Sequence, residues 1–266
     1  MHNEERKRKF SLSQTSKYKI IISIVGMGAI ISGLFWYLGI NPIIAVMAFP
    51  EFFAFFTERF WPPNFKNITT YIPLILETIL FAVVGTYISA ILAFLFGLLL
   101  SEKTNPFAWL RGVIRFIISF MRNVPILIWA SLFVYIFGIG NMVGLITLVV
   151  ATLGFLSRSY SESMNEIAGA KLEALKACGG SYLQVLFHGL IPEFVPSWIN
   201  WTLFSLEINI RASAILGMVG AGGIGIMIQT NIRLFKYSEA LSLILVLVAM
   251  VLLTEFSTNK LRKQIH

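Results

Sequence analysis

Long apolar runs, broken by short polar stretches, set the rhythm of this chain. Ile20 to Ile40 holds no charged residue. Leu74 to Leu100 is interrupted only by Glu77, near its start. Arg115 to Phe137 is apolar except around the RNVP at 122–125. Met142 to Leu156 and a little beyond, Trp198 to Gly217, and Tyr237 to Phe256 follow. A helix crossing the hydrocarbon core needs about 20 residues, because the core is about 30 Å thick and each residue rises about 1.5 Å. The pattern predicts an all-α integral membrane protein with six transmembrane helices. Residues 41–73 carry Pro42, Pro50, Pro62 and Pro63 together with many Phe and Trp. Such a segment reads as an external interfacial stretch rather than a crossing.

One segment departs from the rhythm. Residues 158–196 are polar in pattern and lie between the fourth and fifth spans. Ser159 to Cys178 reads as a helix, with Met164, Ile167, Leu172, Leu175 and Cys178 as its apolar stripe. Gly179-Gly180 ends it, since glycine tolerates the left-handed residue that helix termini often need. Ser181 begins a second short helix, with Gln184 placed to complete a capping box. Pro192 and Pro196 are expected to separate that helix from the fifth span.

Charge orients the spans. Of the 21 Lys and Arg, Arg59, Lys66, Arg233 and Lys236 fall in segments on one side, and Arg122 and Arg211 fall within spans. The remaining 15 lie in segments on the other side, which includes the N-terminus. Basic residues collect on the cytoplasmic face. The expected order is therefore a cytoplasmic basic segment at 1–19, a first transmembrane helix at 20–40 and the external stretch at 41–73. A membrane domain at 74–257, with its 158–196 loop in the cytoplasm, and a cytoplasmic tail at 258–266 complete it. The net charge of +8 is then a consequence of topology and not a sign of nucleic-acid binding.

Composition removes several chemistries. All 13 acidic residues are Glu. His2, His188 and His266 are too scattered to ligate a metal together. Cys178 is the single cysteine, so no internal disulfide forms, and it reads as a small apolar residue on a helix. No GxxxxGK[ST] phosphate loop is present. An intramembrane enzyme would need a nucleophile and base, or a metal set, at membrane depth, and no His or Asp lies in a span. A passive channel would leave the polar loop unexplained.

The loop itself carries a resemblance. EALKACG, nine further residues and GLIP resemble the EAA loop of ABC importer permeases of type I. Glu173, Ala174, Gly179 and Pro192 match that pattern, whereas Leu175, Gly189 and Ile191 depart from it. The resemblance implies a permease fold with cytoplasmic coupling helices that dock on a separate ATP-hydrolysing subunit. It implies that this chain binds no cofactor itself, ATP and Mg being used by that partner. It further implies an extracytoplasmic substrate-binding protein and a second permease, as a homodimer or a sister chain. MRNVPILIWASLFV at 121–134 and FSLEINIRASAILGMVGAGGIGIMIQTNIRLFKY at 204–237 look like the phosphonate branch of these permeases. Phosphonate, phosphite and phosphate are the cargoes that branch implies; a methionine permease, with a similar GAGGIG segment, is the alternative.

Charged residues inside spans are costly and usually face a pathway or each other. Arg122, Asn209 and Arg211 are candidates for an oxyanion path, because guanidinium forks match tetrahedral oxyanions. Glu207 stands one turn before Arg211 and is expected to pair with it, as a structural pair or as part of the path. Gly220, Gly222, Gly223 and Gly225 follow no strand and are expected to serve close helix packing or a gate, with Met218, Val219 and Ile224 as its apolar lining.

Overall fold

The computed structural model describes residues 14–167 and 169–265, and among them every regular element is helical. The first 13 residues of the expected basic segment, with His2 and His266, lie outside the described residues. The chain forms two compact units, one ending at Glu58 and one beginning at Arg59.

The first unit contains α1 (Gln14–Tyr37) and α2 (Pro42–Phe55). Asn41 caps α2, its side chain accepting from the Ile43 N–H at 3.0 Å, and Pro42 sits where its missing N–H costs nothing. The proline-rich stretch is therefore helical over most of its length.

The second unit is a bundle built on α3 (Ile68–Leu100) and α6 (Asn141–Ile167), which run parallel in close contact, Gly85 facing Leu148 and Gly97 facing Tyr160. Small residues four apart allow it: Gly85, Ser89, Ala93 and Gly97 of α3 are all buried. A Cβ on Gly85 would stand 3.2 Å from that of Leu148, and one on Gly97 3.0 Å from that of Tyr160. The Ser89 hydroxyl donates to the Val149 carbonyl at 3.1 Å across the pair. The long fourth run is one helix to Ile167, and α7 (Ala170–Ala177) is separate, so the single helix expected over 159–178 is in fact broken at Gly169.

The expected third span is a bent pair. α4 (Ala108–Asn123) and α5 (Ile126–Phe137) meet at 90°. Pro125 holds the preceding Val124 in an extended conformation, which stops α4 there. The Trp129 indole N–H donates to the Met121 carbonyl at 3.2 Å and closes the bend.

Beyond α7, a one-turn helix α8 (Tyr182–Gln184) passes through a π-helical stretch at Val185–Leu190 into α9 (Ile191–Met218). Pro192 and Pro196 thus do not separate α8 from the fifth span; both lie inside α9. The wider π register just ahead of them absorbs the missing donors. α10 (Ile224–Arg233) and α11 (Tyr237–Ile265) complete the bundle. Residues 258–265 form the last turns of α11.

Helices α1, α3, α6 and α11 are long and apolar enough to cross a membrane, and the bent pair α4–α5 makes a fifth candidate. α9 has the length, at 28 residues, but its polar side chains lower its hydropathy. Several of those side chains bond inside the bundle. Asn209 donates to the Thr86 hydroxyl at 2.8 Å and accepts from Thr152 at 2.9 Å, which ties α9 to α3 and α6 at once. α9 corresponds to the fifth apolar run, and these polar side chains face protein.

Candidate functional site

Two regions carry the residues singled out in the sequence. At one end of the bundle α7 and α8 form a knuckle. Glu173 and Ala174 on α7, Gly179 at the turn and Pro192 at the start of α9 are all exposed. Gly179 has φ +80°, a left-handed value that favours glycine. Gly180 donates to the Leu175 carbonyl at 3.1 Å, and Ser181 N–H donates to Gln184 Oε1 at 2.8 Å.

The face beneath is apolar and fixed. Leu172 is buried with Met164, Tyr160, Val185, Leu190 and Phe194. Gly189 lies directly under α7: a Cβ there would come within 2.6 Å of Leu172 Cδ2 and 2.7 Å of Leu175 Cδ1. The departure from Ile at this position therefore has a packing reason. The Tyr182 hydroxyl donates to the Thr104 carbonyl at 2.6 Å, linking the knuckle to the turn after α3. Nothing in the sequence spacing signals that link, because the partners are 78 residues apart. Cys178 is exposed at the end of α7 and is not part of the apolar stripe.

The second region is the pathway set. Arg122 is exposed on the last turn of α4, just before the bend. Arg211 is exposed on α9. Asn209 is buried and committed to Thr86 and Thr152. Glu207 is buried, and its partner is not Arg211. Arg262 of α11 donates to its Oε1 at 2.9 Å, and the Thr258 hydroxyl donates to the same oxygen. Among the described residues no ion pair joins Glu207 to Arg211. Glu207 sits on the face of α9 that meets α11, whereas Arg211, one turn further on, is exposed. The arginines Arg122 and Arg211 are thus surface groups of the single chain, while Glu207 and Asn209 are internal struts.

The glycine segment joins α9 to α10. Gly220, Gly222 and Gly223 have φ of +99°, +89° and +72°. A Cβ on Gly225 would overlap the Ala214 carbonyl, so α10 can lie against α9 only with glycine there. The break exposes backbone donors at the start of α10, and two side chains of α3 take them. Gly223 N–H donates to Glu77 Oε2 at 3.1 Å, and Ile224 N–H donates to Thr78 Oγ1 at 2.8 Å. The polar residue that interrupts the second apolar run is thereby explained. Ile224 is fully buried and lines no opening, whereas Met218 and Val219 are each 37% exposed. Among the described residues no group of three or more His, Cys, Asp or Glu could hold a metal.

Comparison with known proteins agrees with this architecture. Residues 93–265 match the family described as binding-protein-dependent transport system inner membrane component. Over 243 residues the chain is 29% identical to the phosphite transport system permease protein PtxC of Stutzerimonas stutzeri, covering 90% of this chain and 88% of that one. It is 33% identical over 194 residues to the phosphate-import permease protein PhnE of Mycolicibacterium smegmatis, covering 73% of this chain and 36% of that one. In fold it is similar to a chain of the inward-facing MetNI methionine ABC transporter, with a TM-score of 0.67 at 21% identity over 74% of this chain and 96% of that one. Family match, helical bundle and apolar spans together place the chain among the inner membrane components of binding-protein-dependent transport systems, as a multi-pass permease subunit and not an enzyme.

Proposed function

We propose that this chain is the permease subunit of an ATP-driven importer for phosphorus oxyanions: phosphonates, phosphite or phosphate. The exposed Glu173, Ala174, Gly179 and Pro192, mounted on a fixed apolar face, carry the reading, because such a knuckle is a docking surface and not a connector. In this reading the 158–196 segment and both chain ends face the cytoplasm, and the knuckle seats in a groove of a separate ATP-hydrolysing subunit. That subunit uses the ATP and Mg; this chain holds neither. Two permease subunits, two copies of this chain or one copy with a sister, enclose the path, and an extracytoplasmic binding protein delivers the cargo. The similarity to permeases named for phosphite and phosphate supports the cargo class. Exposed Arg122 and Arg211 would then meet the oxyanion between the two subunits, since paired N–H donors match its oxygens.

The test is uptake by cells carrying the chain with its ATP-binding and substrate-binding partners. Labelled phosphite, phosphate and methylphosphonate should accumulate and compete with one another, and methionine should not compete. Accumulation of methionine without any of the three oxyanions would overturn the cargo assignment.

A further inference from the structure

α9 stops at Met218, and the chain jogs through residues 219–223 before α10 begins. That jog is enclosed by protein on more than one side. It packs against Thr78 and Phe81, about three turns inside α3, and against Asn141 and Gly144 at the start of α6. Backbone groups freed inside packed protein must find protein partners, because no water reaches them there.

Most of the jog satisfies itself. Gly220 N–H donates to the Gly217 carbonyl and Ala221 N–H to that of Leu216, each at 3.1 Å. The first donors of α10 are different: they depend on Glu77 and Thr78, 146 residues away on another helix. The Glu77 contact is the stronger kind, a carboxylate on a backbone N–H at the positive end of a helix. The jog has unusual freedom of its own, since three of its residues are glycines at positive φ. Its place is also sharply shaped: a Cβ on Gly222 would come within 2.6 Å of Asn141 Oδ1, and one on Gly223 within 2.6 Å of Thr78 Oγ1. A pliant segment is thus pressed into a cradle of α3 and α6, with one ionised side chain as its bolt. At its entry, Met218 and Val219 present partly exposed apolar side chains.

We propose that Glu77 is a positioning residue for transport: its carboxylate bolts the 219–223 jog to α3 and so holds Met218 and Val219 as an apolar closure of the path on the side away from the knuckle. The proposal rests on the permease reading above. It adds that the closure opens when the Glu77 contact is released, with α10 moving relative to α3.

The experiment uses the assembled transporter in intact cells. A cysteine is placed at Val219, and a membrane-impermeant maleimide is added outside, where Cys178 on the opposite face is out of reach. Glu77→Ala should raise the labelling rate on the order of tenfold, because a lost charge-assisted contact shifts a two-state equilibrium by about that factor. Glu77→Gln keeps an acceptor oxygen but loses the charge, so its rate should fall between those of wild type and Glu77→Ala, a grading that a merely destabilised bundle would not give. Resting ATP hydrolysis in the absence of binding protein should rise in Glu77→Ala alongside the labelling. Equal labelling of Glu77→Ala and wild type, at equal membrane content, overturns the proposal. Should Glu77→Ala fail to reach the membrane, Glu77→Asp decides. It keeps the charge but withdraws it by one methylene, and unchanged labelling there overturns the proposal equally. Labelling needs no cargo, so a failed oxyanion uptake assay leaves this outcome separate.

Discussion

Glu207 and Arg262 stand 55 residues apart in the chain and 2.9 Å apart in the bundle. Their ion pair ties the middle helix α9 to the last turns of α11, and Thr258 shares the same carboxylate oxygen. Glu207 is 7% exposed, so removing its partner strands a charge. Arg262→Ala should destabilise the purified subunit by about 3 kcal/mol, at the lower end of what stranded buried charges cost. The double change Glu207→Gln with Arg262→Gln should recover most of that loss. Arg211→Gln, which breaks no contact to Glu207, should leave the thermal midpoint unchanged. Unfolding in detergent, followed by tryptophan fluorescence, compares the three.

The exposed arginines call for a functional measurement instead. Arg122→Lys keeps the charge and loses the fork, so phosphite uptake should fall at least tenfold if bidentate contact with oxyanions is its role. Arg122→Gln should be at least as low. Normal uptake in Arg122→Gln at normal expression would remove Arg122 from the path.

The knuckle offers a contrast between two glycines. Gly179 has open space around its Cβ position but a left-handed backbone. Gly179→Leu should fold and reach the membrane, at a cost of about 1 to 2 kcal/mol for the strained residue. It should nonetheless abolish stimulation of the ATP-binding subunit, because a bulky side chain would project from the docking face. Co-purification and coupled ATPase assays check it; wild-type stimulation would deny the docking role.

Gly189 is the opposite case, with Leu172 and Leu175 pressed against it. Gly189→Ala needs only a turn of those side-chain ends. Gly189→Ile, although it brings the sequence closer to the EAA pattern, should overpack the site by about 1 to 3 kcal/mol. Lower thermal stability of Gly189→Ile than of Gly189→Ala is the expected result.

Cys178 provides a probe of sidedness without mutation. It is exposed at the tip of the knuckle. In intact cells a permeant maleimide should label it and an impermeant one should not, and bound ATP-binding subunit should protect it. Labelling by the impermeant reagent would invert the proposed topology.

How far the sequence disclosed this molecule depended on the range of the interaction. The apolar runs located the spans, since burial in lipid is a local property of composition. The positive φ at Gly179 was legible, because the dipeptide that ends a helix is local too. The Glu207–Arg211 pairing was not: helical spacing makes a pair possible, but α11 places Arg262 on the face that Glu207 occupies. Pro192 and Pro196 misled for a related reason, as a π-helical stretch ahead of them let the helix continue. Glu77 was visible as an interruption, yet its partner at Gly223 is a backbone group that only the packed bundle brings near.

The polar core of α9 also bears on how the chain enters the membrane during synthesis. Charged residues resist insertion by a few kcal/mol each when a segment is presented alone. Asn209 finds Thr86 and Thr152 on helices already made when α9 emerges. Glu207 must wait for Arg262, 55 residues further along the chain. Until then α9 holds a carboxylate with no countercharge on α11. A chain interrupted before residue 262 would therefore hold α9 with its buried acid unmatched.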